Sequence, residues 1–283
     1  MPPRIHPTAR HERLGAELRK LREQAGLTAR AAALLLGIDQ AQMSNMEAGR
    51  VGASEERVRR MAAHYACDNT ALIEALVTMA TERVRGWWEE YRGLLPRTFL
   101  DLAEIEFHAL AMRTVKITHI PGMMQTEAHA RAIFSHFVPQ LPPADLEARV
   151  AHRMRRRIVL DRESPPQFEA VIHEAALRMT VGGVRTAREQ LTALLELSDL
   201  PHITMRIIPF SPLGFTGMSS TMLYLDGPVH QLDTVQVETP LSAVLLDSEA
   251  QLRRYRTIFT KVEEESLGPS DSRDLVHGLI KDL

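Results

Sequence analysis

Apolar residues recur through the first third of the chain three or four positions apart, the spacing of one helix face. Leu14, Leu18 and Leu21 make the first such stripe, with charges between them, and Gly26 follows where a C-cap is wanted. Thr28 stands at an N-cap position ahead of the helix-forming run over 29–36, which Gly37 breaks. Asp39 opens a third segment, 40–48, and Gly49 closes it. Ser54 caps a fourth with Val58, Met61, Ala62 and Tyr65 inward. A fifth follows Asn69, carrying Leu72, Ile73, Leu76, Val77 and Met79. The pattern predicts an all-α domain of five short helices over residues 1–84.

Helical periodicity continues over 85–165, which reads as a helical linker and dimerisation region. Trp87, Trp88 and Tyr91 lie close together at its start, and packing of a linker helix explains them better than an aromatic ligand box. Pro121-Gly122 precedes a helix over 126–137, and prolines at 139, 142 and 143 separate it from another over 144–160. After Pro165-Pro166 the period shortens. Residues 168–172, 202–208, 221–225 and 234–237 are rich in Val, Ile and Thr and are bounded by Pro, Gly and Asp, as strands are. Helices are expected over 184–197, with Leu191, Leu194 and Leu195 inward, and over 248–265 and 271–283. Residues 166–283 therefore read as an α+β domain, a small sheet packed by helices, suited to sensing or partner binding.

Composition narrows the classes. The chain has 283 residues, 45% of them hydrophobic and 25% charged, which argues against disorder and leaves room for more than one domain. No apolar run approaches the roughly 20 residues needed to cross a bilayer. The start lacks the apolar stretch of a secretory signal. Cys67 is the only cysteine, so neither a disulfide framework nor a cysteine zinc site fits within one chain, and the cytoplasm is the expected compartment. The net charge of −2 argues against a uniformly basic surface, but residues 1–22 carry a local +4 and residues 149–162 a local +5. Catalytic patterns are missing. His173-Glu174 lacks the second histidine of a zincin helix, Gly182-Gly183 falls short of a dinucleotide fingerprint, and the 211–217 loop lacks a nucleophile elbow. No enzymatic activity, cofactor or metal is expected.

The third predicted helix carries the sharpest signal. With Met43 and Met46 inward, and Ala41 a further inward candidate, its outer face shows Gln40, Gln42, Ser44 and Asn45, where a solvated helix usually shows Glu and Lys. Amides donate and accept together, as an adenine edge in the major groove requires. Residues 26–50, with the Gly37-Ile38-Asp39 turn and the Met46-Glu47-x-Gly49 ending, resemble the helix-turn-helix of the Xre family of phage-type repressors. The resemblance implies that Gln40, Ala41 and Asn45 read bases. It places Gln42, Ser44 and Arg50 near phosphates or neighbouring bases, with Thr28 and Arg30 at the start of the second helix. It also implies a structural pair, Arg22 with Glu47. Ala29 departs from the glutamine common there, leaving its phosphate contact to Arg30 or Arg19. Because one half-site is seldom enough for specific affinity, the likeness further implies a homodimer on double-stranded DNA.

A second resemblance covers the remainder. Trp88-x-x-Tyr91, Ile120 to Thr126, Arg153-x-x-Arg156, Glu174 to Arg178, Gly182-Gly183, Gln190-Leu191 and Arg206 to Phe210 occur in an order similar to the C-terminal domain of WhiJ-like regulators. Met123-Met124, His129 and Arg157 replace the Leu-Leu, Tyr and Gln common in that pattern. The likeness implies a cytoplasmic, antitoxin-like transcriptional regulator, often acting with a small partner protein. Arg149, Arg153, Arg156 and Arg157 are the candidate surface for an acidic partner. The alternatives are an antitoxin that neutralises its partner and uses DNA binding for autoregulation, and a repressor that senses a small-molecule ligand.

Overall fold

The computed structural model describes residues 7–82, 85–210, 221–238 and 243–283. The chain divides after Glu89 into two compact units.

The N-terminal unit is five helices: α1 (Ala9–Gln24), α2 (Ala29–Leu36), α3 (Gln40–Glu47), α4 (Glu55–His64) and α5 (Thr70–Thr81). Each begins at a side chain that accepts a backbone N–H of its first turn, in order Thr8, Thr28, Asp39, Ser54 and Asn69. Four of these caps are the ones the sequence predicts; they satisfy donors that would otherwise be orphaned at every helix start. Thr8 adds a capping box with His11. Leu18, Met43, Met46, Val58, Met61 and Leu76 fill the core. Two glycines set how closely helices approach. A Cβ on Gly15 would lie 2.4 Å from the carbonyl oxygen of Glu47, so α1 rests directly on the end of α3. Gly49 turns the chain at φ +70°, and a Cβ there would meet the backbone of His11 at 2.7 Å.

The C-terminal unit is a mixed six-stranded sheet with helices on both faces. Its elements are α6 (Arg97–His108), β1 (Ala111–Lys116), α7 (Glu127–Ser135), α8 (Pro143–Arg155), β2 (Gln167–His173), α9 (Glu174–Arg178), α10 (Val184–Leu197), β3 (Ile203–Ile208), β4 (Met222–Asp226), β5 (Thr234–Glu238), β6 (Ala243–Leu246), α11 (Glu249–Glu264) and α12 (Pro269–Asp282). The strand order is β3-β2-β1-β4-β5-β6. The first three strands are parallel, and β4 to β6 continue antiparallel from β1. Alternation along the strands separates two cores. Met112, Phe168, Ile172, Ile207 and Leu223 face α10 and α12, while Val115, Val171, Tyr224 and Val235 face Leu252, Phe259 and Val262 of α11. The outer side of β3 is closed: Ile207 donates its N–H to Ser272 Oγ, and its carbonyl accepts from Leu267 N.

Two strands depart from the sequence reading. β1 lies inside the stretch read as helical, so the sheet begins well before residue 166. Its run AMRTVK mixes three polar residues with apolar ones and shows no simple alternation, because it is a central strand with both faces covered. β6 is only four residues long, too short to register. The 211–217 loop lies outside the described residues.

Candidate functional site

The outer face of α3 is the first candidate. Met43 is 0% exposed and Met46 is buried beside it, and these two knobs orient the helix. Gln40, Ala41 and Ser44 are exposed, and Gln42 and Asn45 are half-buried. Ala41, a candidate for the inward face, points out instead. Two residues from Met43 on a 3.6-residue turn, it lies nearly opposite that buried side chain. Thr28, Arg30 and Arg50 are exposed as well. Thr28 Oγ accepts Ala31 N at 3.1 Å and Asp39 Oδ1 accepts Gln42 N at 2.6 Å, so both helices of the turn start from fixed positions. Ala29 has no side chain to reach a phosphate, and of the two arginines expected to do so in its place, Arg19 donates to Glu23 at 2.7 Å. Arg30 has no ion pair among the described residues. Arg50 follows Gly49 and is likewise uncommitted.

Arg22 and Glu47 meet as the resemblance implies. Arg22 Nε donates to Glu47 Oε1 at 2.6 Å and Nη2 to Oε2 at 3.1 Å, a bidentate pair, while Nη1 donates to the Leu27 carbonyl at 2.6 Å. Both side chains are less than a tenth exposed. The hydrogen bond to Glu47 raises the Arg22 pKa, and burial with the Glu47 charge pushes the Tyr65 hydroxyl up to about 12. The pair ties the end of α1 to the end of α3.

The arginine cluster of α8 behaves differently from an outward basic patch. Arg156 is buried and donates through Nε to Glu106 Oε2 at 2.7 Å, with Nη2 on the other carboxylate oxygen. Arg153 donates to Gln125 Oε1 at 2.6 Å, and its guanidinium stacks on Phe134 with 4.8 Å to the ring centre. Arg149 lies over both Phe99 and Phe137, at 5.1 and 5.3 Å. Arg149, Arg153 and Arg157 are half-buried, and Arg157 alone of the four lies outside this arrangement. Neighbouring Arg155 pairs with Glu90. Spacing gives the reason: positions 149, 153 and 156 stand at i, i+4 and i+7, one face of a helix. That face turns inward.

It turns onto a cavity of about 740 Å³ that residue-by-residue reading of the sequence did not reveal. Arg149, His152, Arg153 and Arg156 line one side; Thr114 and Lys116 of β1, with Gln236 and Glu238 of β5, line another. Strand positions facing a core are ordinarily apolar, so this polar set on one sheet face is the anomaly that marks the site. Lys116 donates to Glu238 at 2.7 Å, and burial lowers its pKa. Burial also lowers His129, to about 4, and His152, to about 3, so both are neutral at pH 7. The Ile120 to Thr126 segment is locked beneath: Gln125 donates to the Ile120 carbonyl, while Gln190 accepts from Thr126 N and donates to the Met124 carbonyl, each at 2.7–2.8 Å. A regular face of arginines on α8 was the one signal in the sequence for the cavity.

Among the described residues one group of side chains has the make-up of a metal site. Asp226, His230 and Asp233 place candidate ligand atoms within 4.8 Å of one another. Asp233 already accepts from Tyr224 Oη at 2.7 Å and Gly227 N at 3.0 Å, with Arg256 at 3.3 Å; Asp226 pairs with Arg113. Two guanidinium groups beside these carboxylates do the neutralising that a cation would, so the cluster is a structural network closing the β4–β5 turn. His173, the head of the incomplete zincin pattern, caps α9 by accepting Ala175 N at 3.1 Å. No helix among the described residues is long and apolar enough to cross a membrane.

Comparison with known proteins agrees with this division. The family model "Helix-turn-helix domain" matches residues 13–76, which hold α1 to most of α5, and identifies the N-terminal unit as a DNA-binding domain. The model "Domain of unknown function (DUF5753)" matches residues 99–278, covering the sheet, the cavity and most of α12. No curated protein and no solved structure matches the chain. With well over half its length matched, the chain belongs to the DUF5753 family, carrying a helix-turn-helix at its N-terminus.

Proposed function

We propose that the chain is a sequence-specific transcriptional regulator of the Xre type, acting in the cytoplasm as a homodimer on double-stranded DNA. One observation carries the reading: α3 presents an amide and hydroxyl face, with Gln40 and Ser44 exposed and Gln42 and Asn45 half-buried, backed by Met43 and Met46. Those groups match base edges, while Arg30 and Arg50 on either side match phosphates. Fluorescence anisotropy on duplexes selected from random sequence tests it. Gln40→Ala or Asn45→Ala should cost about 1–3 kcal/mol and relax preference at particular base pairs. Arg50→Ala should weaken all duplexes alike and reduce the salt slope by about one. Identical behaviour of the two kinds of variant would remove the assignment.

For the C-terminal domain, the cavity favours a small ligand as the signal. The WhiJ-like, antitoxin-like reading asks for an outward basic surface to hold an acidic partner protein. Arg149, Arg153 and Arg156 instead point into the domain, which argues for the sensing role over partner neutralisation.

A further inference from the structure

The charges lining the cavity do not balance. Arg156 is spent on Glu106 and Lys116 on Glu238, which leaves Arg149 and Arg153 with no carboxylate partner among the described residues. Arg153 has only the neutral oxygen of Gln125, and the enclosed Nε of Arg149 makes no hydrogen bond. Both residues are half-buried, and uncompensated charge even partly withdrawn from water is costly, so proteins keep it where something else supplies the counter-charge. Burial together with Arg156 lowers the Arg153 pKa to about 9, which still leaves it protonated at neutral pH. Neighbouring His152 is held neutral, so it adds no cation of its own.

The walls limit what the counter-ion is attached to. Phe99, Phe134 and Phe137 lie against the two guanidinium groups and, with Met123 and Ile133, give the cavity an apolar wall facing its polar strand positions. A ring against the face of a guanidinium leaves its N–H edges for acceptors; Arg153 spends one N–H on Gln125, and the others, with those of Arg149, are of the kind that hold a carboxylate. A volume of about 740 Å³ lies within the range of small-molecule sites and far exceeds a single inorganic ion. A Cβ at position 122 would stand 3.3 Å from Arg153 Cδ and from Arg156 Nη1, so Gly122 leaves both arginines the room they occupy. We infer that the cavity binds a small organic anion, a carboxylate carried on a flat apolar body, with the carboxylate on Arg149 and Arg153 and the body among the phenylalanines. The inference rests on the ligand-sensing reading above and names its ligand class.

The test uses the full chain with 8-anilinonaphthalene-1-sulfonate as fluorescent reporter. Its competitors are 2-naphthoate and the neutral isostere 2-naphthamide. The naphthoate should displace the reporter at about tenfold lower concentration than the amide, the size expected for a charge-assisted pair. That gap should close in Arg149→Met/Arg153→Met, whose side chains keep most of the volume without the charge. Equal competition by naphthoate and naphthamide in the unaltered protein overturns the inference whether or not the variant folds, and so does a gap that survives in a folded variant. Duplex affinity measured with and without naphthoate separates the two proposals. Selective binding that leaves duplex affinity unchanged keeps the anion site and removes its role as the signal.

Discussion

Breaking the Arg22–Glu47 pair tests how the recognition helix is held. Glu47→Leu leaves a guanidinium under the helix ends, more than nine-tenths covered, with the Leu27 carbonyl and, at 3.4 Å, the half-exposed Glu23 carboxylate to accept from it. Arg22→Met leaves a carboxylate in the same place. Coulomb attraction between unit charges about 4 Å apart is about 4 kcal/mol at the effective dielectric of such sites, and removing one member of a buried pair typically costs about 3–5 kcal/mol. The whole stability of a domain is about 5–15 kcal/mol, so either single change should bring the N-terminal unit close to unfolding. The double variant Arg22→Met/Glu47→Leu buries apolar surface instead and orphans only the Leu27 carbonyl, so it should fall within about 1–2 kcal/mol of the native protein. Native-state hydrogen exchange on the full chain reads this directly. Amides of α1 and α3 should lose protection in each single variant and regain most of it in the double, while amides of β1, β2 and β3 serve as an internal standard. If each single change costs less than about 1 kcal/mol, or the double costs the sum of both, the pair is not what fixes α3.

Gly15→Ala should destabilise the N-terminal unit by about 1–3 kcal/mol in the same exchange assay, because its Cβ would sit 2.4 Å from a backbone oxygen that cannot rotate away. Gln190→Leu orphans the half-buried N–H of Thr126 and the buried carbonyl of Met124, so urea melts of the C-terminal unit should show a loss of about 2–4 kcal/mol; a loss below about 1 kcal/mol would refute the clamp. Acid sensitivity has a definite sign. His129 and His152 titrate near 4 and 3 in the folded state, below the usual histidine value of about 6.5, so the unfolded chain takes up protons first. Stability should be flat above about pH 7 and fall as the pH drops from about 6.5 toward 4. His152→Phe should flatten that slope, most visibly above about pH 5, where carboxylates contribute little.

The N-terminal fold was legible because its signals are local. Each cap sits beside the helix it starts, and Met43 and Met46 are three residues apart on one face. Ala41 was harder to place, since a small side chain biases neither face. In the C-terminal unit, strands built from Val, Ile and Thr announced themselves, whereas Arg113, Thr114 and Lys116 disguised β1. The charged side chains in that strand serve partners distant in sequence: Lys116 reaches Glu238 and Arg113 reaches Asp226. The cavity escaped for the same reason. Arg156 meets Glu106 and Arg153 meets Gln125 across intervals that no motif records. A local count of +5 over 149–162 therefore suggested a surface, although Arg149, Arg153 and Arg156 line the cavity.

The sheet has two unequal margins. An outermost strand ordinarily leaves alternate amides and carbonyls bare, an invitation to any extended segment of another molecule. Here the Ile207 groups on that margin are already taken, its amide by a serine hydroxyl and its carbonyl by the backbone ahead of α12. The Ile207 amide should therefore exchange with deuterium as slowly as amides in the middle of the sheet. Recruitment of foreign strands is left to the far margin, where four residues offer too short a template for stable growth.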